Sequence, residues 1–234
     1  MFTGPNTITD GLVLALDAGN TKSYPGTSTI WNDVSGNGNS GTLINGPTFD
    51  TGSNGSIVFD GVNDYVSMNN KNPPSINSTF SNGLSIGFTL KLNNPFPSTT
   101  DGRAILTRNS QGAGSNAFNL SIQSNRRLRF WINTTSNMPL STTILNSGQI
   151  YIGMVVLDRT TGQTIFYLQG ILDSSTTYSP TLSTASHNTF NVGYWGSSGW
   201  EFPGNIYNIY FYNRALTAQE VLQNYNATKS RFNL

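Results

Sequence analysis

Cysteine is absent from the 234-residue chain, which excludes disulfide bonds, thiolate metal ligands and a cysteine nucleophile. Charge is also scarce, because only 10% of the residues are charged, against about 25% in an ordinary soluble domain. The 12 basic and 11 acidic residues leave a net charge of +1, so the basic patch of a nucleic-acid-binding protein is missing. We therefore expect no nucleic-acid partner.

Long apolar runs are missing as well. No segment approaches the roughly 18 consecutive apolar residues of a membrane helix, and the amino end lacks the basic and apolar regions of a secretory signal peptide. We therefore expect no membrane insertion. If the protein works outside a cell, the sequence favours another route of release, such as an assembled particle freed by lysis.

Glutamate and histidine are rare, which bears on catalysis. Glycoside hydrolysis requires two carboxyl groups that flank the scissile bond, yet the only glutamates are Glu201 and Glu220. A Ser-His-Asp triad would have to include His187, the one histidine, which lies in a polar stretch without a nucleophile-elbow pattern. A transition-metal site is disfavoured for the same reason. We therefore expect no catalytic residues and no enzymatic activity.

The sequence does contain about eleven short apolar runs bounded by Gly, Asn, Pro and Ser, a pattern typical of strands joined by turns. They lie at residues 12–16, 56–59, 65–68, 84–92, 104–107, 118–123, 128–133, 150–158, 164–169, 189–194 and 205–212. The clearest run, residues 84–92, alternates apolar and polar residues with period two. It predicts a strand with one buried face and with Ser85, Gly87, Thr89 and Lys91 in solvent.

One helix is predicted, near the end of the chain at residues 216–225. Thr217 followed three residues later by Glu220 has the spacing of a capping box, in which each residue bonds the backbone N–H of the other. Leu216 and Val221 would form the matching hydrophobic staple.

Turn residues predict two hairpins, one around Gly162 and one at Asn125-Arg126. No linker, charge run or shift in composition divides the chain, and the strand spacing stays even. We therefore predict an all-β fold, in which residues 1–234 form a single domain of two packed antiparallel sheets with one short carboxyl-terminal helix.

Five segments of the chain form a recognisable set. They are G-L-V-L-A-L-D-A-G-N at residues 11–20, W-N-D-V-S-G-N-G-N-S-G-T-L at 31–43, S-I-V-F-D-G-V-N-D-Y-V at 56–66, the hairpin at 150–170 and the tail at 204–225. Together they resemble the laminin-G-like branch of the concanavalin A-like lectin/glucanase superfamily. The resemblance implies a jelly-roll sandwich in which the first strand, residues 12–16, lies beside the last, residues 206–212.

Two motifs resemble a narrower group. S-Y-P-G at residues 23–26 and W-N-D-V-S-G at 31–36 look like those of structural proteins of tailed phages and environmental viruses. The resemblance implies a non-catalytic protein on the virion surface, as a capsid decoration or a tail or fibre module, with other virion proteins and further copies of itself as partners. Glycan binding is a candidate activity. The alternatives are a stand-alone lectin and, less favoured, a glycoside hydrolase.

Asp60, Asn63 and Asp64 form a candidate calcium site, because Ca²⁺ prefers carboxylate and amide oxygens and here three lie within five residues. Asp17 and Asp33 would add ligands from neighbouring loops. The same residues are also ordinary turn formers, since Asp and Asn side chains bond their own backbone in loops. The sequence leaves both interpretations open.

Tyr194, Trp195 and Trp200 are the candidate glycan- or partner-binding residues. Two tryptophans in a Gly/Ser loop are difficult to bury together, and exposed aromatic faces beside polar groups suit a sugar site. The same side chains can also pack across the end of a sandwich or into a subunit interface, and both interpretations stay open. Trp31 and Trp131 lie in or next to strands, so we expect them in the core.

Arg126, Arg127 and Arg129 form the densest basic cluster, next to a predicted turn. We interpret it as the solvated end of a hairpin, because isolated surface charges usually contribute little. The alternative is a charged contact with a neighbouring protein or an acidic glycan.

Overall fold

A computed structural model describes residues 5–70, 83–93, 95–96, 102–109, 118–132, 138–178, 180, 189–196 and 199–234. Within these residues the chain forms sixteen strands and one α-helix, α1, at Ala218–Thr228, followed by a 3-10 turn at Lys229–Phe232. The strands are β1 Leu12–Asp17, β2 Ile30–Trp31, β3 Gly41–Ile44, β4 Thr48–Asp50, β5 Ser56–Asp60, β6 Tyr65–Met68, β7 Gly83–Leu92, β8 Arg103–Asn109, β9 Phe118–Ile122, β10 Arg127–Ile132, β11 Leu140–Ile144, β12 Ile150–Asp158, β13 Gln163–Leu168, β14 Ile171–Thr177, β15 Thr189–Val192 and β16 Pro203–Tyr212.

The strands pair into two antiparallel sheets that pack as a sandwich. Sheet A has the order β14-β13-β12-β7-β16-β5-β4, with β1 also paired to β16, and sheet B has the order β11-β10-β9-β8-β15-β6-β3-β2. The first strand therefore lies beside the last, with Leu12 opposite Tyr212 and Asp17 opposite Asn208. The predicted all-β sandwich is confirmed.

The core lies between the two sheets and consists of side chains that alternate inward along each strand. Phe88 and Phe211 enter it from sheet A, and Phe130 and Phe190 from sheet B, each at most 1% exposed. Trp31 is completely buried there, as predicted. Each such side chain stabilises the fold by about 1.5–3 kcal/mol through the apolar area it removes from water.

Both predicted hairpins are present. Asp158 lies opposite Gln163 across the turn that contains Gly162, whose φ of +69° is a conformation that glycine adopts without a steric penalty. The second turn lies between β9 and β10, and Arg126 takes φ +61° there. Turn residues thus identified the connections correctly.

Helix α1 begins as the sequence predicts. Thr217 Oγ1 accepts a bond from Glu220 N at 3.2 Å, and Glu220 Oε2 accepts one from Thr217 N at 2.8 Å. Leu216 and Val221 are both buried in one apolar cluster, consistent with the staple. Arg214 forms two bonds with the Glu220 carboxylate and, together with the Thr217 amide, lowers the pKa of Glu220 to about 2.

The solvent-facing side predicted for β7 is wrong. Ser85 and Thr89 are completely buried and Gly87 is also buried, while Lys91 is half-buried. The reason is that residues after β16 cover the outer face of sheet A. Ser85 Oγ donates to the carbonyl of Arg214 and accepts from the amide of Leu216, both at 2.9 Å.

Candidate functional site

The outer face of sheet B is crossed by the segment that joins β15 to β16. Gly193 N donates to Ile105 O at 3.0 Å and Phe202 N donates to Gly193 O at 2.9 Å, so the two ends of the segment are tied together. We call its described residues, 193–196 and 199–202, the aromatic loop.

Hydrogen bonds to β8 hold the aromatic loop against the sheet. Ala104 N donates to Trp200 O at 2.9 Å, and Thr107 Oγ1 donates to Tyr194 O at 2.6 Å. Arg103 is buried, and its Nη1 donates to the carbonyls of Gly199 and Glu201, both at 3.2 Å. Three of these four bonds reach residues 199–201 and one reaches Tyr194.

Glu201 is a structural carboxylate of this loop. Its Oε2 accepts from Gly199 N at 2.8 Å and lies 3.9 Å from Arg103 Nη1. Only 6% of Glu201 and 5% of Arg103 is exposed, so the charges offset each other inside the protein.

The three predicted binding residues come together on this loop. The Trp195 ring lies 4.9 Å from Trp131 and 6.1 Å from Trp200, and the Tyr194 ring lies 5.0 Å from Tyr65, measured between centroids. Tyr194, Trp195 and Trp200 are each partly exposed. The arrangement presents several aromatic surfaces on one side of the sandwich, and their binding role stays a prediction.

Trp131 does not lie in the core, contrary to the prediction. Leu128, Phe130 and Ile132 of β10 point into the core, so Trp131 points to the opposite face, where it contacts Trp195. It is nevertheless only 9% exposed, because the aromatic loop packs on it. Alternation along β10 puts Trp131 on the face opposite Phe130, so Trp131 can be assigned to the outer face once Phe130 is known to point into the core.

Arg129 is buried, so the predicted solvated cluster is wrong at this residue. Its guanidinium lies 5.2 Å from the centre of the Trp200 ring, and its Nε donates to Ser121 Oγ at 3.3 Å. A Cβ on Gly102 would lie 2.6 Å from Arg129 Nη2 and 3.0 Å from Trp200 Cζ3, which explains the glycine. Arg126 and Arg127 are half-buried at the hairpin.

Polar side chains line the sheet beneath the aromatic loop. Thr107 of β8, Asn119 of β9 and Asn191 of β15 stand in register across neighbouring strands, with Trp131 of β10 next in the row. Thr107 and Asn119 are completely buried and Asn191 is 3% exposed. The face therefore combines aromatic rings with amide and hydroxyl groups, the chemistry of a sugar site.

Asp60, Asn63 and Asp64 form a tight turn next to the aromatic loop. Asp60 Oδ1 accepts from the amides of Val62 at 2.8 Å and Asn63 at 3.2 Å, and Asp64 Oδ2 accepts from Asp60 N at 3.0 Å. Burial raises the pKa of Asp64, partly offset by that amide bond. The carboxylates thus fold the turn, and calcium binding by them stays a prediction.

The two aspartates suggested as additional calcium ligands serve other turns. Asp17 Oδ1 pairs with Arg231 Nη1 at 2.6 Å, and Asp33 Oδ1 accepts from the amides of Ala15 and Ser35 at 2.9 Å. Across the described ranges no group of three or more His, Cys, Asp or Glu side chains is placed to hold a metal ion.

The structure describes most, but not all, of the side chains that could act as catalytic acids or bases. His187 lies outside the described residues, as does Asp101, one of the 11 acidic residues. Each of the other ten has a hydrogen-bond or ion-pair partner, and these ten are Asp10, Asp17, Asp33, Asp50, Asp60, Asp64, Asp158, Asp173, Glu201 and Glu220.

No helix in the described part of the chain is long and apolar enough to span a membrane.

Comparison with known families identifies the fold. The laminin-G-type family model described as the Concanavalin A-like lectin/glucanases superfamily matches residues 59–222. The chain therefore belongs to this superfamily. No curated protein sequence matches the chain.

Solved structures show the same fold at low sequence identity. The Trypanosoma rangeli sialidase in complex with the inhibitor DANA matches with a TM-score of 0.67 and 16% identity, over 94% of this chain and 33% of the sialidase. Domain 4 of AbnA, a GH43 extracellular arabinanase from Geobacillus stearothermophilus, in complex with arabinotriose, matches with 0.67 and 18%, over 90% and 96%. The receptor binding domain of botulinum neurotoxin C/D mosaic serotype matches with 0.68 and 16%, over 93% and 51%. This chain thus spans about a third of the sialidase.

Proposed function

We propose that residues 1–234 form one non-catalytic carbohydrate-binding domain, and that the aromatic loop holds the sugar. The observation that carries the proposal is the placement of three partly exposed aromatic side chains, Tyr194, Trp195 and Trp200, above a face lined with amides and hydroxyls.

Physical chemistry supports a sugar as the ligand. A sugar ring has apolar C–H surfaces, which an indole covers, and hydroxyl groups, which amides and hydroxyls bond. The aromatic loop is anchored by buried Arg103 and by Ala104, so Trp200 is held in place before a ligand arrives. Such preorganisation reduces the entropy cost of binding.

The use of the carboxylates supports the absence of catalysis. A glycoside hydrolase of the usual kind needs one carboxyl group as a proton donor and another as a nucleophile or base. In the described part of the chain each carboxylate already accepts a backbone amide or pairs with an arginine. We expect no release of reducing sugar from a polysaccharide panel. Release that an Asp-to-Asn variant abolishes would contradict this proposal.

Two structural neighbours are consistent with a binding role. Domain 4 of the arabinanase was determined with arabinotriose, and the neurotoxin match is named as a receptor binding domain. Because their identities to this chain are 18% and 16%, they share the fold and do not identify its ligand.

A glycan array followed by calorimetry tests the sugar site. We expect Trp200→Ala and Trp195→Ala each to weaken binding about tenfold or more, since tryptophans near the centre of a binding interface often carry much of the affinity. Ile171→Ala is the matched control, because Ile171 is 68% exposed on β14, a sheet A strand. Binding that both tryptophan variants retain in full would overturn the proposed site.

We further propose that the domain works on a virion surface in many copies, bound to other virion proteins. The support comes from the sequence motifs at residues 23–26 and 31–36, which resemble those of viral structural proteins. Weak single-site sugar binding gains avidity from such repetition.

Mass spectrometry of purified virus particles and light scattering of the protein test this proposal. We expect to find the chain in the particle and a homo-oligomer in solution. A monomer that is absent from particles but binds glycans would support the alternative, a stand-alone lectin.

A further inference from the structure

Asn119 is a buried amide that makes no hydrogen bond to the described residues around it. It lies on β9 between Phe118 and Leu120, which both point into the core, so its side chain points to the outer face of sheet B. It is completely buried, and among the described residues neither its Oδ1 nor its Nδ2 has a hydrogen-bond partner. A buried amide without partners loses its bonds to water and gains nothing in return.

Asn119 lies beneath the first half of the aromatic loop. Its neighbours across the strands are Thr107 and Trp131. Thr107 bonds the carbonyl of Tyr194, and Trp131 packs against the ring of Trp195. Tyr194 and the Trp195 ring therefore contact the strands on either side of Asn119.

Glycines bracket this crossing. Gly193 has φ +83° and Gly196 has φ +111°, and a Cβ on Gly196 would meet no atom within 4 Å. The bonds of Arg103 and Ala104 hold the loop only from Gly199 onward. Residues 194–195 are held by the Thr107 bond and the Trp131 contact, and these must break for the pair to turn about its glycine ends while Trp200 stays fixed.

We propose that Trp195 is a movable cap, which lifts to admit a neutral saccharide and then closes on it, over a hidden subsite in which Asn119 binds two neighbouring hydroxyl groups of that saccharide. The inference rests on the proposed sugar-binding function and specifies its ligand. An amide presents one donor, Nδ2, beside one acceptor, Oδ1, and a vicinal diol presents the complementary pair. In the free protein the buried amide has no partners, which destabilises the fold. A bound diol supplies these partners, and a ligand without the two hydroxyl groups does not, so the site favours the diol.

Asn119→Leu tests the proposal in two opposite directions, because leucine has nearly the same size and no polar group. We expect its midpoint of thermal unfolding to rise and its affinity for neutral saccharides to fall about tenfold. The probes are arabinotriose, maltotriose and cellotriose, measured by calorimetry. Asn205→Leu is the matched control: Asn205 is also buried, but its Nδ2 donates to Ser56 Oγ at 2.9 Å on sheet A, so this variant should lose stability and keep its affinity.

Cap movement has its own readout. In protein labelled with 5-fluorotryptophan, we expect saturating trisaccharide to shift the ¹⁹F resonances of Trp195 and of Trp131, on which Trp195 packs, and to leave that of buried Trp31 unchanged. An unchanged Trp131 resonance would contradict cap movement. A Trp195→Phe variant assigns the signal.

The outcomes separate this inference from the proposed function. If a trisaccharide binds and needs Trp200, but Asn119→Leu binds it equally well or unfolds at a lower temperature, the hidden subsite is wrong and the sugar site stands. If none of the probes nor any array glycan binds the wild-type protein, both fail.

Discussion

The two outer faces of the sandwich differ in what covers them. The polar positions of β7 on sheet A lie beneath the chain that leads into α1, and Ser85 finds two backbone partners there. The corresponding positions on sheet B lie beneath the aromatic loop, and in the described part of the chain Asn119 has no partner there. Unsatisfied polar atoms are not confined to sheet B, since among the described residues Thr89 Oγ1 and Asn208 Nδ2 of sheet A also lack partners. The faces differ in their cover, which is a helix on sheet A and a loop with three partly exposed aromatic residues on sheet B.

The covering elements are also built differently. Helix α1 packs on the outer face of sheet A and buries Val221 in an apolar cluster with Met154 and Tyr212. The aromatic loop is held by backbone bonds and by one buried arginine, Arg103, and it leaves Trp195 and Trp200 accessible. The comparison places the apolar cover on the helix side and the proposed sugar site on the loop side.

The largest expected effect tests the helix as a seal. Val221→Asp places a charge where only 3% of the residue is exposed, and we expect a loss of about 3 kcal/mol in the free energy of unfolding. Leu222→Asp, one residue away and 43% exposed, should change it by less than about 0.5 kcal/mol. Urea denaturation measures both. Equal losses would show that α1 does not close sheet A.

A smaller effect is expected beneath the aromatic loop. Arg129→Ala removes the bond to Ser121 and the packing on Trp200, and should cost about 1.5 kcal/mol. Arg127→Ala, on the same strand at the hairpin end, should change stability by less than about 0.5 kcal/mol. Urea denaturation measures both variants. An equal loss of stability in Arg127→Ala and Arg129→Ala would contradict a specific role for Arg129 beneath the aromatic loop.

Acid should weaken the helix side through Glu220. Its pKa is about 2 in the folded protein against 4.5 ordinarily, so its contribution is complete above pH 4.5 and is lost as the pH falls toward 2. Because Glu220 is partly exposed, solvent screening limits the contribution to about 1 kcal/mol. Glu220→Gln should remove this part of the decline in stability between pH 4.5 and 2. Parallel curves for the two proteins would assign the decline to other carboxylates.

The smallest effect is expected at the Asp60–Asp64 turn. Because Asp60 Oδ1 and Asp64 Oδ2 already accept backbone amides, we expect the unfolding midpoint to be the same in calcium and in EGTA. Asp60→Asn keeps the turn acceptor and provides the control. A midpoint that calcium raises in the wild type, but not in this variant, would establish the predicted calcium site.

Sequence patterns located the inner strands well and the outer ones poorly. Strands β11 and β14 were not predicted, because Leu140–Ile144 and Ile171–Thr177 are rich in Ser and Thr and mostly exposed, so no apolar alternation marks them. They are strands because they pair at the sheet edges, and Asp173 of β14 accepts the amides of Thr142 and Thr143 of β11.

The candidate site was predicted in part. Tyr194, Trp195 and Trp200 stood out as aromatic residues in a Gly/Ser segment, and they do share one site. Arg129 and Trp131 were assigned to solvent and to the core, whereas both lie beneath the aromatic loop. Period two identifies the two faces of β10, but it does not say which face another part of the chain will cover.

The sequence by itself determined the local structure, since alternation, turn glycines and the Thr217–Glu220 box act over a few residues and need no distant partner. Only the tertiary structure decided which faces are buried. Thr107 meets Tyr194 across 87 residues, and Ser85 meets Leu216 across 131. Burial of a polar face depends on such long-range contacts, so the partner of a strand's outer side is invisible in the strand's own residues.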